Sequence, residues 1–319
     1  MIKNKLYRTA THLLSPHGKR ARLTTLIYHR VLPQADPLFP DETTEERFDS
    51  ELTALKSIFN ILPLSEAVHH LKNGSLPSRA ACITFDDGYA DNFELATPIL
   101  KKHKLVATFF IATDYLDGGR MFNDTIIESI KLSPLDKINL NAIGLDTFSI
   151  TTDAEKKDAI QKLIGCIKYR PVDERTEKAM IIAEACQCLD KLPNNLMMSR
   201  QQVLAMRKSG MEIGGHTASH PILATLNDDH AYADIEAGKR YLETLLNEKV
   251  TLFAYPNGKP ETDYKPEQTA IIRELGFDAA VSTTHGAASY KSDIFQLPRF
   301  APWGSMKKFI PLLLRNFTQ

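Results

Sequence analysis

The sequence predicts an α/β fold on three observations. Short apolar runs rich in strand formers alternate with segments of helical periodicity. One long stretch, 119–196, breaks that alternation with helical and polar segments. The side chains best suited to chemistry fall just past the ends of the apolar runs. A barrel of parallel strands with its site on the C-terminal face accounts for all three. An open doubly wound sheet is the structural alternative.

Residues 1–22 carry Lys3, Lys5, Arg8, Lys19, Arg20 and Arg22 around short apolar patches, without the continuous apolar core or cleavage site of a secretion signal. They are expected to form an N-terminal extension. Leu6, Leu13 and Leu14 fall on one side of a basic amphipathic helix that packs on the parent domain, with membrane-surface attachment as the second reading. The first strand is expected over 23–28, ending at His29. Helices follow over 50–61, with Leu52, Leu55 and Phe59 inward, and over 64–71. The run Ala80-Ala-Cys-Ile-Thr-Phe85 reads as a buried strand that stops at Asp86-Asp87-Gly88. A helix over 92–104, despite Pro98, and a strand over 106–111 complete a parallel strand–helix–strand unit.

Residues 119–196 are too many for an ordinary crossover. They are expected as a helical insertion beside the main fold, with helices near 123–131, 154–168 and 174–189. Alternation then resumes with a helix over 201–209, a strand over 210–215 that delivers His216, a helix over 229–246 and a strand over 251–255. A helix over 268–275 and strands over 279–282 and 295–298 complete a set of about seven strands. In this reading the main domain spans 23–310, and 311–319 is a C-terminal tail.

Composition narrows the function. Lys plus Arg and Asp plus Glu both total 39, so the net charge is zero and nothing points to a nucleic-acid partner. The four cysteines, Cys82, Cys166, Cys186 and Cys188, lack zinc-ligand spacing and read as ordinary thiols. No window approaches a transmembrane span. The cytoplasm is the default compartment, with the inner face of a membrane as a peripheral location and a lipid or protein partner for the extension.

Two short motifs carry the chemistry. In Thr84-Phe-Asp-Asp-Gly88, two adjacent carboxylates end an apolar run, and Gly88 frees the turn that lets both approach one cleft. A solvated acidic turn is the plain reading of Asp-Gly, but burying the strand before it demands partners for the charge. In His216-Thr-Ala-Ser-His220, two imidazoles four residues apart share a face if the segment is helical or tightly turned. Thr217 stands where a zinc metalloprotease helix has its glutamate, so that mechanism is disfavoured. One aspartate and two histidines make a ligand triad with open positions for water and substrate, and the second aspartate can receive a proton.

With these residues quoted, the chain resembles the polysaccharide deacetylases, the NodB-homology carbohydrate esterases, over about 23–302 apart from the insertion. The resemblance implies a distorted (β/α)7 barrel that removes acetyl from an N-acetylated sugar. It makes Asp86 the general base and Asp87, His216 and His220 the metal ligands. Zinc suits such an N/O triad, and cobalt, nickel, manganese or iron also fit. Phe253-Ala-Tyr-Pro-Asn-Gly258 looks like a divergent third motif. It has Ala254 near the place where many members carry an arginine that steadies the base, and Arg299 could substitute from a neighbouring strand end. By the same resemblance the Tyr255 N–H helps bind the oxyanion. Its ring, with Pro256 and Asn257, is expected to face the sugar.

The late part of the chain holds no clean copy of the family's leucine-x-x-x-x-histidine motif, so His29 and His285 are the candidate side chains for the acid, with bound water as the further alternative. Trp303, the only tryptophan, is a candidate wall for a sugar ring. Asp91 and Asn92 are expected to cap the helix that begins there. The leading reading is a metal-dependent N-deacetylase of an N-acetylhexosamine in a polysaccharide, oligosaccharide or lipid-linked glycan. A hydrolase of another amide or cyclic imide, and a non-catalytic carbohydrate-binding protein with a degenerate site, stand as alternatives.

Overall fold

A computed structural model describes residues 2–301 together with Pro311 and Arg315, with side chains from Leu6 onward. Trp303 and most of the expected tail lie outside the described residues. Helix α1 (Ile2–Leu14) precedes strand β1 (Arg22–Tyr28). Next come α2 (Glu45–Ile58), β2 (Asn60–Ile61), α3 (Leu64–Asn73), β3 (Ala80–Phe85), α4 (Thr97–His103) and β4 (Thr108–Ile111). The inserted stretch holds α5 (Phe122–Leu132), β5 (Lys137–Asn139), β6 (Thr147–Ser149), α6 (Asp153–Ile167) and α7 (Val172–Ala185). The chain continues through α8 (Arg200–Lys208), β7 (Glu212–Gly215), α9 (Asp228–Leu246), β8 (Leu252–Ala254), α10 (Pro266–Glu274), β9 (Ala279–His285), β10 (Ala288–Ser289) and β11 (Leu297–Arg299).

Strands β1, β3, β4, β7, β8, β9 and β11 lie side by side in that order, each parallel to the next. The seam between the last and the first is narrowed just after β11. There Phe300 bridges Leu26, accepting from Ile27 N–H at 3.0 Å and donating to the Thr25 carbonyl at 2.7 Å. The result is a nearly closed seven-stranded barrel, not an open sheet. Near the N-terminal ends, β2 pairs with Ala80 and Ala81 of β3, and antiparallel β10 pairs with Arg22 and Leu23 of β1. These short strands satisfy backbone groups where the barrel splays.

Strand alternation divides the apolar side chains into two cores. Leu23, Cys82, Phe110, Ala254, Val281 and Leu297 cluster with Leu64, Val68 and Leu71 of α3, which plugs the barrel floor. Leu26, Ile83, Phe85, Phe109 and Phe253 pack outward against α2, α4, α8, α9 and α10. The insertion has a cluster of its own, in which Ile126 and Ile130 meet Ile160, Leu163, Ile167 and Ile182. It also contains an antiparallel hairpin, β5 with β6, where the sequence suggested only helices and loops. Strands of three residues are too short to give a readable alternation.

The expected helix over 92–104 is present, but it carries a π-turn over Asn92–Ala96 that runs directly into α4 just before Pro98. The N-terminal extension also departs from expectation. Tyr7 packs against the core and Thr11 and Ser15 are buried, but Leu6 and Leu13 stay 68% and 73% exposed. Among the described residues no helix is long and apolar enough to cross a membrane.

Helix α9 passes very close to the loop after β7. A Cβ on Gly238 would stand 2.5 Å from the Thr217 carbonyl oxygen. Replacing a helix-interior glycine with alanine ordinarily stabilises by about 1 kcal/mol, but here a backbone clash opposes that gain. Gly238→Ala should therefore lower unfolding free energy by roughly 1–3 kcal/mol, measured by denaturant titration; an unchanged or raised value would show that α9 does not brace this loop.

Candidate metal and catalytic site

At the end of β3 the Asp86 N–H donates to the Tyr28 carbonyl at 3.0 Å. Asp87 and Gly88 then take left-handed conformations, with φ of 78° and 95°. This turn brings Asp86 and Asp87 to one cleft, which they line together. The second motif follows β7 as a tight turn, not a helix, with Thr217 and His220 at φ of 65° and 52°. Its backbone is fastened from several sides. Asp234 of α9 accepts from Ala218 N–H, Ser219 N–H and the Ser219 hydroxyl. The Tyr115 hydroxyl donates to the Ser219 carbonyl at 2.8 Å, and Arg175 of α7 donates to the His220 carbonyl at 3.1 Å.

Asp87 Oδ1 stands 3.3 Å from both His216 Nε2 and His220 Nε2. Tetrahedral ligands at about 2.0–2.1 Å from a zinc ion are themselves about 3.3 Å apart, so the donor set has a suitable span. His216 Nδ1 lies 2.7 Å from the Ala254 carbonyl. A carbonyl only accepts, so Nδ1 carries the proton and Nε2 of the neutral ring presents its lone pair to the shared centre. Burial opposes ionisation of Asp87, but its histidine partners hold the carboxyl well below the usual range. Burial likewise pulls His220 down toward the neutral form. At His216 burial is outweighed by Asp87, which shifts the ring upward.

Asp86 has a different partner. Arg299, 1% exposed, reaches it inside the barrel with Nη1–Oδ1 and Nη2–Oδ2 contacts of 2.7 Å each. Nη1 also donates to the Thr84 hydroxyl at 3.2 Å, and Nε to the Ser282 carbonyl at 2.9 Å. Burial pushes the Asp86 carboxyl up, but the guanidinium outweighs it and holds the group below its ordinary value. Arg299 is therefore no surface ion pair.

The same cleft, about 260 Å³, is lined by His29, Asp86, Asp87, His216, His220 and Asn257. His29 is exposed at its mouth, and Asn92 donates to its carbonyl at 2.8 Å. His285 is exposed at the end of β9, tilts against Phe300 and does not line the cleft. Asp91 and Asn92 do not cap a helix. Asp91 accepts from Arg30 at 2.8 Å and from Val31 N–H at 3.2 Å, so together they brace the loop after β1.

Tyr255 does not stand where the resemblance implies. Its ring is fully buried and stacked on Tyr264, and its hydroxyl donates to the Phe295 carbonyl at 3.0 Å. Its N–H points to the Val281 carbonyl at 3.3 Å. Neither ring nor amide faces the cleft as it stands, because Tyr255 shares the outer strand face with Phe253. Pro256 is also buried and away from the cleft.

The insertion supplies walls that no motif announced: Met121, Phe122 and Asn123 beside α5, and Ile164 and Lys168 beside α6. An adjoining hollow of about 420 Å³ shares His29 and is bordered by Glu42, Lys157 and Gln161. A larger hollow of about 530 Å³ lies on the outer faces of α8 and α9, away from the chemistry.

Seven parallel strands bring two carboxylates and two imidazoles to one mouth, and three of these side chains form a candidate metal-binding cluster. The family model described as polysaccharide deacetylase matches residues 73–280. The chain belongs to the polysaccharide deacetylase family. It is 22% identical over 283 residues to the Bacillus subtilis protein YxkH, named provisionally as a polysaccharide deacetylase, covering 88% of this chain and 71% of that one. A Staphylococcus aureus poly-β-1,6-N-acetyl-D-glucosamine N-deacetylase is 35% identical over 98 residues, 30% of this chain and 34% of its own length. The structure of the Streptococcus pyogenes deacetylase PplD in complex with acetate superposes with a TM-score of 0.62 at 20% identity, covering 93% of this chain and 98% of that one.

Asp124 of α5 is buried behind this site, and its carboxylate accepts from the Tyr89 hydroxyl at 3.0 Å. Burial raises its pKa to about 7, against a lowering by Arg30 and with a further rise from Asp87. The folded state thus holds this proton more tightly than the unfolded chain. Its stabilising contribution is complete below the ordinary carboxylate pKa and lost as pH climbs through about 7. Asp124→Asn should match the parent in thermal stability near about pH 4 and exceed it above about pH 7, by on the order of 1–4 kcal/mol. Parallel stability–pH curves would contradict the assignment.

Proposed function

We propose that the protein is a metal-dependent N-deacetylase of glycans bearing N-acetylhexosamine units. The observation that carries this reading is the Asp87–His216–His220 cluster beside a carboxylate held ionised by Arg299. Asp87, His216 and His220 would hold the cation. Zinc suits two imidazoles and one carboxylate, and cobalt, nickel, manganese or iron also fit. A divalent ion in such a site polarises an amide carbonyl and acidifies water.

Asp86 takes the proton from the attacking water, and Arg299 keeps it unprotonated beforehand. The departing nitrogen needs a proton as the carbon–nitrogen bond breaks. His29 is the candidate donor, since it lines the cleft with Asp86 and Asp87 whereas His285 does not. Asn257 and the insertion residues Phe122, Asn123 and Lys168 border the space around the acetylated sugar. The substrate named for the S. aureus relative supports an N-acetylglucosamine polymer as the first to try.

Metal-loaded protein incubated with N-acetylglucosamine oligomers should release acetate. Asp86→Asn should keep its metal and fold yet lose at least about 100-fold in turnover, the usual scale of a general base. No acetate from any N-acetylated sugar would favour another amide or a binding role. Acetate release undiminished in Asp86→Asn would remove Asp86 from the chemistry.

A further inference from the structure

Helix α1 carries a surface that the deacetylase reading does not use. Tyr7, Thr11 and Ser15 turn toward the barrel, and Ser15 accepts from Arg79 N–H at 3.0 Å beside the start of β3. Ser15 also exchanges hydrogen bonds with Arg22 at the start of β1. The helix is thus tied to the floor of the barrel, at the end remote from the cleft. Leu6 and Leu13, two turns apart on one stripe, remain 68% and 73% exposed, with Leu14 39% exposed beside them.

The sequence that carries this stripe is one-sided in charge. No acidic residue precedes Asp36, whereas Lys3, Lys5, Arg8, Lys19, Arg20, Arg22 and Arg30 all do, in a chain whose total charge is balanced. Arg8, Lys19 and Arg20 are exposed. The sequence after Asp293 likewise has no acidic residue and includes Lys307, Lys308 and Arg315.

We propose that α1 docks this protein on an anionic bilayer surface. Leu6 and Leu13 enter the headgroup–acyl boundary, and the surrounding cations meet the lipid phosphates. A few leucines on a segment whose charged residues are all basic offer far less than the roughly 800 Å² per partner that a stable protein interface buries. The same features suit shallow insertion, where apolar burial and attraction to anionic lipid act together.

Flotation with vesicles tests the proposal directly. The full chain should bind phosphatidylcholine vesicles containing about 30% phosphatidylglycerol, bind pure phosphatidylcholine far less, and release at about 0.5 M salt. Leu6→Asp with Leu13→Asp should weaken vesicle binding at least roughly tenfold while leaving circular dichroism and metal content unchanged. Both positions are exposed, and Arg8→Glu offers a second variant that should weaken binding through charge alone. Failure of the parent to bind anionic vesicles at low salt would overturn the proposal, as would equal binding by the double variant. Lipid-free self-association that the double variant abolishes would also overturn it, by assigning the stripe to a second copy of the chain. None of these readouts depends on deacetylase activity.

Discussion

The ion pair between Asp86 and Arg299 is the constraint around which the rest is arranged. Its two residues are 213 positions apart and meet within the barrel through paired 2.7 Å contacts. Removing one partner of a buried pair commonly costs about 3–5 kcal/mol, because the other charge is left without compensation. The pair therefore depends on the barrel being drawn together near its seam. Phe300, the next residue after Arg299, makes the bridge to β1 that narrows that seam. The same hydrogen-bonded strand end thus shapes the fold and keeps the carboxylate ionised.

The candidate metal triad relies on a second kind of restraint. His216 and His220 sit in a turn with left-handed residues that would be unfavourable if the surroundings did not hold it. Asp234 satisfies three donors of that turn, α9 presses against it at Gly238, and Arg175 reaches its last carbonyl from the insertion. The insertion is consequently more than a lateral addition. It walls the cleft through α5 and α6 and braces a histidine through α7.

Most of the seven strands are legible as compact apolar runs, whereas β7 (Glu-Ile-Gly-Gly) and β11 (Leu-Pro-Arg) are legible only from their place in the alternation and from the motif residues beside them. The four central side chains were legible because each motif packs its reactive groups within five residues of sequence. Arg299 is legible by compensation, since no arginine stands near Ala254 and a buried Asp86 needs another cation. The burial of Tyr255 is not legible from its motif position, because strand alternation sends it outward with Phe253. Asp234, Arg175 and the walls from α5 and α6 carry no local signature and act only through tertiary approach. Leu6 and Leu13 were placed on the right helix but turned the wrong way, since Tyr7 and Thr11 supply the inward contacts.

The most direct measurement is an anomalous diffraction map of crystals grown with zinc. One strong peak is expected, enclosed by Asp87, His216 and His220, with Asp86 outside the coordination sphere and still paired with Arg299. A peak coordinated by Asp86 with Arg299 displaced, or a fully ordered zinc-soaked crystal with no peak among the three side chains, would contradict it.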